Sequence, residues 1–157
     1  MKIAVACDHA GFPLKDVVLE AARAAGGEVL DLGAHSAQPV DYPDLVEKLG
    51  RAIQDGRAER GILLCGSGVG ASIAANKMTG VYAAICHDTY SARQGVEHDD
   101  MNVLCLGGRI LGPEPTREIV AAFLAARFLG DDPGQERHAR RVAKIRKLEQ
   151  ESCSSER

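Results

Sequence analysis

Residues 62–77, ILLCGSGVGASIAANK, pass from a short apolar run into a glycine-rich loop and then into a helix-like segment. A short apolar run that ends at glycine is typical of a buried strand. The whole stretch therefore predicts a strand–loop–helix unit of a parallel sheet. Its unusual feature is a thiol, Cys65, at the point where the strand meets the start of the helix. Ligands of such sheets bind at the carboxyl ends of the strands, which is where this thiol stands.

The same alternation of short apolar runs and longer helical segments fills the rest of the chain. The predicted strands are residues 2–7, 28–33, 61–65, 81–86 and 102–107. The predicted helices are residues 12–25, 43–55, 69–77, 89–96, 114–129 and 135–150. Because the strands are continuously apolar, the sheet is expected to be parallel and covered on both faces. We predict a three-layer, doubly wound α/β fold of Rossmann-like type, with five parallel strands and an extra C-terminal helix.

Proline and glycine mark several of the expected boundaries. Pro43 and Pro113 suit the first turn of a helix, and Gly130 suits the end of one. No linker or repeat interrupts the pattern. Residues 1–150 are therefore predicted to form a single domain, followed by a polar tail at residues 151–157 that frays.

Composition excludes several classes of function. The chain has 157 residues, of which 45% are hydrophobic and 26% charged, the balance of one globular domain. A formal net charge of −3 gives no reason to expect a nucleic acid or an anionic membrane as partner. No apolar run approaches the roughly 18 residues of a membrane span. The opening MKIAVACDHAG is too short an apolar run for a signal peptide and predicts the first strand.

Cysteine usage indicates a reducing compartment. The cysteines are odd in number: Cys7, Cys65, Cys86, Cys105 and Cys153. Four of them lie in or at the ends of apolar runs, which favours free thiols in the cytoplasm over a disulfide framework. No CxxC pair occurs, so no structural zinc site is expected. Cys7, Cys86 and Cys105 are predicted to be small buried hydrophobes, and the same role is open to Cys65.

The loop after Cys65 is a predicted anion site. Gly66, Gly68 and Gly70 allow close backbone approach, and the following helix offers free N–H groups. Such groups would also favour the thiolate form of the cysteine.

Three chemistries could use this loop. The first is dinucleotide binding, since GSGVGA fits G-x-G-x-x-A, although that pattern usually follows the first strand. The second is a thiol phosphatase, but the arginine required six positions after the cysteine is replaced by Ala71. The third is acid–base chemistry, in which a thiolate removes a proton beside a carbonyl while N–H groups and Ser67 hold the enediolate.

The last predicted helix is strongly basic. Arg137 and Arg141 are four residues apart and therefore share a face. From spacing alone this helix presents either a solvated charged face or a two-arginine clamp for a phosphate.

Six motifs appear in order along the chain: CDHAGF at 7–12, DYPD at 41–44, CGSGVGASIAANK at 65–77, HDTYSA at 87–92, EHDDMNVLCLGGR at 97–109 and RHARRV at 137–142. Together they resemble the ribose-5-phosphate isomerase B family, which includes galactose-6-phosphate isomerase relatives. The resemblance covers residues 2 to about 150. It implies an aldose–ketose isomerase that works through an enediol, without metal or cofactor, with ribose 5-phosphate and ribulose 5-phosphate as the expected pair.

The resemblance also implies roles for single residues. Cys65 matches the family's catalytic base, His98 the residue that opens the sugar ring, and Ser67 the residue that supports the enediolate. The other matched residues correspond to the family's substrate-binding residues. They are Asp8, His9, Tyr42, Gly66, Ser67, Gly68, Val69, Gly70, Asp99, Arg109, Arg137 and Arg141. Of these, Arg137 and Arg141 match residues that bind the phosphate.

The family is dimeric, with each site shared across the interface, and tetramers occur, so a homodimer or tetramer is expected. One position departs from the ribose-type pattern, because His98 is followed by Asp99 where many members have asparagine. A carboxylate only accepts hydrogen bonds, which leaves allose 6-phosphate, galactose 6-phosphate or a tetrose phosphate as alternative substrates. A sugar-phosphate- or nucleotide-binding protein without chemistry is the alternative from another class.

Overall fold

The computed structural model describes residues 1–154, except for the side chains of the last two. Its five strands, all parallel, are β1 (Lys2–Cys7), β2 (Glu28–Asp31), β3 (Arg60–Cys65), β4 (Ala83–Ile85) and β5 (Val103–Gly107). The helices are α1 (Lys15–Ala24), α2 (Tyr42–Gln54), α3 (Val69–Ala75), α4 (Thr89–Asp99), α5 (Pro113–Ala125) and α6 (Glu136–Ser154), and a 3₁₀ turn at Phe12–Leu14 precedes α1. The predicted fold class is confirmed.

Alternate residues of the strands supply two separate cores. Val5, Ile62 and Leu104 point into the core that α1, α4 and α5 cover. Leu63 and Cys65 point to the opposite face, where α2 and α3 pack. Because both faces are buried, the strands contain almost no polar side chains, and that is why they appear as continuous apolar runs in the sequence.

The strand order is β2-β1-β3-β5-β4. The chain winds in opposite directions from the middle of the sheet, so β1 and β3 flank a switch point. In doubly wound sheets a crevice opens at this point beyond the carboxyl ends of the strands. Cys7 of β1 pairs with Leu64 of β3, which places the segments after both strands side by side.

Most predicted boundaries lie within three residues of the observed ones, and the end of α5 is a clear error. Pro43 and Pro113 lie in the first turns of α2 and α5, as expected. The prediction that Gly130 ends α5 is wrong, since α5 ends at Ala125. The Arg60 guanidinium donates hydrogen bonds to the carbonyl oxygens of Phe123 and Ala126, the latter at 2.6 Å. These bonds satisfy carbonyls of the last turn and end the helix earlier.

The C-terminal helix α6 packs on α4 and runs four residues into the predicted polar tail. An ion pair of 2.6 Å joins Arg146 to Asp100, and Glu149 accepts hydrogen bonds from the Gly80 N–H and the Tyr82 hydroxyl. Residues 155–157 of that tail, and the side chain of Cys153, lie outside the described residues. The division into one domain and a tail stays a prediction. Among the described helices, none combines the length and apolarity that crossing a bilayer requires.

Candidate active site

The crevice at the switch point is lined by residues from four loops. These are Asp8, Tyr42, Cys65, Gly66, Ser67, Gly70, Arg109 and Ile110. Seven of the predicted site residues therefore lie together at the carboxyl edge of the sheet. Their assembly follows from the parallel strands, whose carboxyl ends meet at one edge.

Cys65 is the last residue of β3 and is buried. The Gly68 N–H donates a hydrogen bond of 3.1 Å to its Sγ. Gly68 has a φ of 83°, a left-handed conformation that glycine adopts without strain and that turns its N–H back towards the sulfur. This contact stabilises negative charge on the sulfur, as a thiolate base requires.

The other thiols that the structure describes are buried in the two cores. Burial raises the pKa of Cys7 to about 11 and that of Cys86 to about 11. Burial also raises the pKa of Cys105 strongly. These three side chains are free cysteines packed into the cores, as predicted. The cytoplasmic location inferred from the thiols stays a prediction.

The segment after β1 brings Asp8 to the crevice, and His9 follows it in the chain without lining the crevice. Asp8 Oδ1 accepts hydrogen bonds from the backbone N–H groups of Ala10 (2.8 Å) and Gly11 (2.9 Å), so this oxygen is committed to the turn. His9 Nδ1 accepts a hydrogen bond from the Val40 N–H at 3.3 Å. A ring whose Nδ1 accepts carries its proton on Nε2 when neutral, which makes His9 a donor towards a ligand.

Two side chains lie directly on the glycine loop. A Cβ built on Gly70 would fall 2.6 Å from Cζ of Tyr42, so the tyrosine ring rests where a side chain would stand. A Cβ on Gly66 would fall 3.7 Å from Cδ of Arg109, an ordinary contact. Two backbone bonds fix the loop beside β5, from the Gly108 N–H to the Cys65 carbonyl oxygen (2.8 Å) and from the Arg109 N–H to the Gly66 carbonyl oxygen (3.0 Å).

Ser67 is exposed at the centre of the loop, and its Oγ accepts a hydrogen bond from the Val69 N–H at 3.3 Å. The hydroxyl hydrogen remains available to donate to an oxygen in the crevice. The side chain of Val69 is exposed to solvent. His87 accepts a hydrogen bond on Nε2 from the Gly107 N–H at 3.0 Å, and the Asp88 side chain caps α4 by accepting a hydrogen bond from the Ser91 N–H.

A second cluster gathers the remaining predicted residues. The His98 ring stacks on the His138 ring, with centroids 4.0 Å apart and an interplanar angle of 23°. Burial, the neighbouring His98, and the positive charges of Arg137 and Arg141 lower the pKa of His138, while Asp99 opposes this. His98, Asp99, Arg137 and Arg141 are therefore neighbours.

The two clusters lie at opposite ends of the strands, the first at the carboxyl ends and the second at the amino ends. Cys65 pairs with Gly107, at the carboxyl end of β5. His98 lies in the last turn of α4, which leads back to the amino end of β5 at Val103. Over the four residue steps between these ends a strand advances about 13 Å. One chain therefore does not bring His98 and the arginines beside Cys65.

Sequence reasoning missed three contacts. Ile110 lines the crevice, and its position directly after Arg109 was the available signal. Gln94 Nε2 lies 2.9 Å from His98 Nδ1, and its position one helical turn before His98 could have suggested the pair. The burial of His138 depends on the packing of α6 and has no local signal. Within residues 1–154, no group of three or more His, Cys, Asp or Glu side chains is arranged to hold a metal ion.

Comparison with known proteins gives consistent matches. The family described as Ribose/Galactose Isomerase matches residues 3–145. Ribose-5-phosphate isomerase B of Escherichia coli strain K12 is 42% identical over 149 residues, which are 95% of this chain and 97% of that protein. D-erythrulose-4-phosphate isomerase of Pectobacterium atrosepticum is 42% identical over 134 residues, which are 83% of this chain and 86% of that one.

A solved structure of ribose-5-phosphate isomerase B from Clostridium thermocellum has the same fold. It superposes with a TM-score of 0.90 at 43% identity, and the match covers 97% of this chain and 99% of that one. The type B ribose 5-phosphate isomerase of Trypanosoma brucei gives a TM-score of 0.88 at 44% identity, over 94% and 97% of the two chains.

Proposed function

Because the chain belongs to the ribose/galactose isomerase family and is a sugar-phosphate isomerase, we propose that it interconverts ribose 5-phosphate and ribulose 5-phosphate through an enediol. The observation that carries the proposal is the Cys65 thiol, which faces the crevice with its Sγ 3.1 Å from the Gly68 N–H. The five-carbon substrate is that of relatives named ribose-5-phosphate isomerase B.

Cys65 is the proposed base of the isomerisation step. Its thiolate takes the proton from carbon 2 of the open-chain aldose. The C–H electron pair then forms the double bond between carbons 1 and 2, and the carbonyl pair moves to oxygen 1. The resulting enediolate regains the proton at carbon 1, while the proton on oxygen 2 passes to oxygen 1 and leaves a ketone.

Enediolate stabilisation is assigned to the loop. Ser67 and Gly70 line the crevice where negative charge develops, at the loop that leads into α3. Preorganised donors of this kind often contribute the largest share of rate enhancement. Arg109 adds a positive charge beside Gly66.

Ring opening is assigned to His98. Its protonated Nε2 gives a proton to the ring oxygen as the bond from carbon 1 breaks and its electron pair moves to that oxygen. The O–H pair of the anomeric hydroxyl becomes the carbonyl bond, and the released proton returns to Nε2. An unperturbed imidazole titrates at about 6.5, which suits a proton carrier near neutral pH.

Both steps require a second copy of the chain. His98, Arg137 and Arg141 lie at the edge opposite to Cys65, so a complete site needs these residues from a partner subunit. Exposed apolar side chains surround the loop and suit such an interface. Val69 and Ile73 project from α3, while Ile85 and Ile110 flank the loop beside Gly68 and Gly107. We therefore propose a homodimer whose sites are shared.

Mixing two inactive variants tests the shared site. Cys65→Ala and His98→Ala dimers are each expected to have little activity. After unfolding and refolding together in equal amounts, half of the dimers are mixed, and each mixed dimer has one intact site. Recovery of about a quarter of the wild-type rate is expected for a two-fold dimer. No recovery would contradict the shared site, while the separately measured wild-type rate still tests the isomerase activity.

The substrate is tested by solvent exchange. The protein is incubated in deuterated buffer with ribose 5-phosphate, allose 6-phosphate, galactose 6-phosphate and erythrose 4-phosphate, and deuterium at carbon 2 is followed by NMR. Ribose 5-phosphate is expected to give the highest kcat/KM. A four-carbon substrate is the second candidate, because a relative named D-erythrulose-4-phosphate isomerase has the same 42% identity, over a shorter match, as the one named ribose-5-phosphate isomerase B. Preference for any other sugar would overturn the five-carbon assignment.

A further inference from the structure

The face of the His98 ring lies against a buried histidine. His138 is 1% exposed, and its ring centroid is 4.0 Å from that of His98. Neither ring nitrogen of His138 has a hydrogen-bond partner among the residues that the structure describes. The His138 side chain is therefore not held in place by hydrogen bonds of its own. The His138 ring is stacked on the His98 ring.

The edge of the His98 ring is held by a second residue. Gln94 Nε2 is 2.9 Å from His98 Nδ1, within hydrogen-bond distance. An amide nitrogen only donates, so Nδ1 accepts and the neutral ring carries its proton on Nε2. If the ring takes up a second proton, at Nδ1, half a turn of the amide presents Oε1 as an acceptor. Gln94 can therefore hold the same edge in both protonation states.

Burial and the charges around the stack disfavour a proton on His138. Arg137 and Arg141 disfavour a positive charge on His138, and burial acts in the same direction, while Asp99 alone favours it. Two positive rings 4.0 Å apart would also repel each other. Burial and these charges therefore disfavour a second proton on His138, the fully buried member of the stack.

We propose that Gln94 and His138 are positioning residues for His98, Gln94 holding its Nδ1 edge and His138 its face, so that Nε2 keeps one orientation while its proton moves. This inference rests on the proposed role of His98 in opening the sugar ring. A half-exposed imidazole would otherwise rotate, and a misplacement of about 1 Å can cost a hundredfold in rate. Gln94 and His138 come from α4 and α6, and His98 is fixed where the two helices pack.

A matched pair of variants tests the face contact. His138→Phe keeps a flat ring and removes only nitrogens that have no partner, whereas His138→Leu removes the flat surface. With cyclic ribose 5-phosphate, the leucine variant is expected to lose about tenfold or more in kcat, and the phenylalanine variant to stay within about threefold of wild type. With an open-chain ketose phosphate, which needs no ring opening, both should match wild type. Equal losses in the two variants, or equal losses with both substrates, would overturn the inference.

The tautomer of His98 tests the contact of its Nδ1 edge with Gln94. In ¹⁵N-histidine-labelled wild-type protein near pH 8, His98 is expected to show one neutral tautomer, with the proton on Nε2. Gln94→Leu should give a mixture of tautomers and a selective loss with the cyclic sugar. Arg93→Ala, an exposed change next to it on α4, should alter neither. A single tautomer in Gln94→Leu would refute the role of Gln94. Absence of isomerisation in the wild-type protein would instead contradict the proposed function. Failure of the positioning role and failure of the proposed function are therefore distinguishable.

Discussion

Replacement of Gly70 by alanine adds a single methyl group beneath the Tyr42 ring. The new Cβ would lie 2.6 Å from Cζ and 2.8 Å from the hydroxyl oxygen of Tyr42. Carbon atoms pack at about 3.5–4.0 Å, so the ring has to retreat by about 1 Å. The backbone itself suits alanine, because residue 70 is the second residue of a helix and its φ is negative. The N–H of residue 70 is also retained.

The substitution is therefore expected to change the stability little and the activity strongly. Alanine is favoured over glycine within a helix by roughly 0.5–1 kcal/mol, which offsets part of the cost of moving an exposed ring. The melting temperature is expected to change by only a few degrees. Tyr42 lines the candidate site, and a displacement of about 1 Å is expected to lower kcat/KM about a hundredfold, equivalent to about 2.7 kcal/mol.

Steady-state isomerisation of ribose 5-phosphate, with thermal melts of the same samples, measures both effects. Gly112→Ala is the control, since a Cβ there meets nothing within 4 Å. In a double-mutant cycle, Gly70→Ala should cost little more once Tyr42→Leu has removed the ring, because the two changes act through one contact. A Gly70→Ala variant with kcat/KM within about twofold of wild type would refute the reasoning. Fully additive losses would do so as well.

Three further predictions address charge. Arg137→Ala and Arg141→Ala should each raise KM, with a loss of ~1.5–3 kcal/mol of binding free energy per charge-assisted contact. Arg140→Ala on the same helix is the control and should leave KM unchanged. If Arg137→Ala or Arg141→Ala leaves KM unchanged at low salt, the arginine concerned does not bind the phosphate. Because the pKa of His138 is lowered in the folded chain, the unfolded chain takes up this proton from about pH 6.5 downwards, and the folded chain takes it up only at lower pH. Stability should therefore be complete above that pH and fall below it, and melts of His138→Phe between pH 5 and 8 should show a flatter dependence. Arg60→Met removes two hydrogen bonds to the end of α5 and should lower the free energy of unfolding by roughly 3 kcal/mol in urea titrations; an unchanged midpoint would contradict that capping role.

Local patterns were enough to predict the sheet, because a strand buried on both faces is apolar at every position. The same reasoning failed at the end of α5. Gly130 is a good local stop signal, yet the helix ends at Ala125, where the carbonyl oxygens of the last turn bind Arg60. That arginine is more than 60 residues away in sequence. A helix end set by such a distant partner has no local signature.

In the candidate site too, one part could be predicted from local sequence and another part could not. Cys65, the glycine loop and the start of α3 are consecutive in sequence, so their arrangement could be predicted from the strand–loop–helix pattern. The contact of Tyr42 with Gly70 and the stack of His98 on His138 join distant segments. Neither contact could be predicted from spacing. The separation of His98 from Cys65, in contrast, follows from topology alone, because α4 must return to the amino end of β5.

This separation bears on how substrate length is selected. In the proposed dimer, the reacting carbons are held by the loop of one subunit, and the phosphate is held by Arg137 and Arg141 of the other. The distance between the two anchors is then set by how the subunits dock. Relatives named for five-carbon and four-carbon sugar phosphates are both 42% identical to this chain. A shift of about 1 Å at an interface is enough to misplace a bound sugar. Substitutions at exposed positions of the proposed interface such as Ile73 and Ile85 should therefore alter the preference among sugars more than they alter deuterium exchange with the preferred one. The opposite result would place the selection in the loop itself.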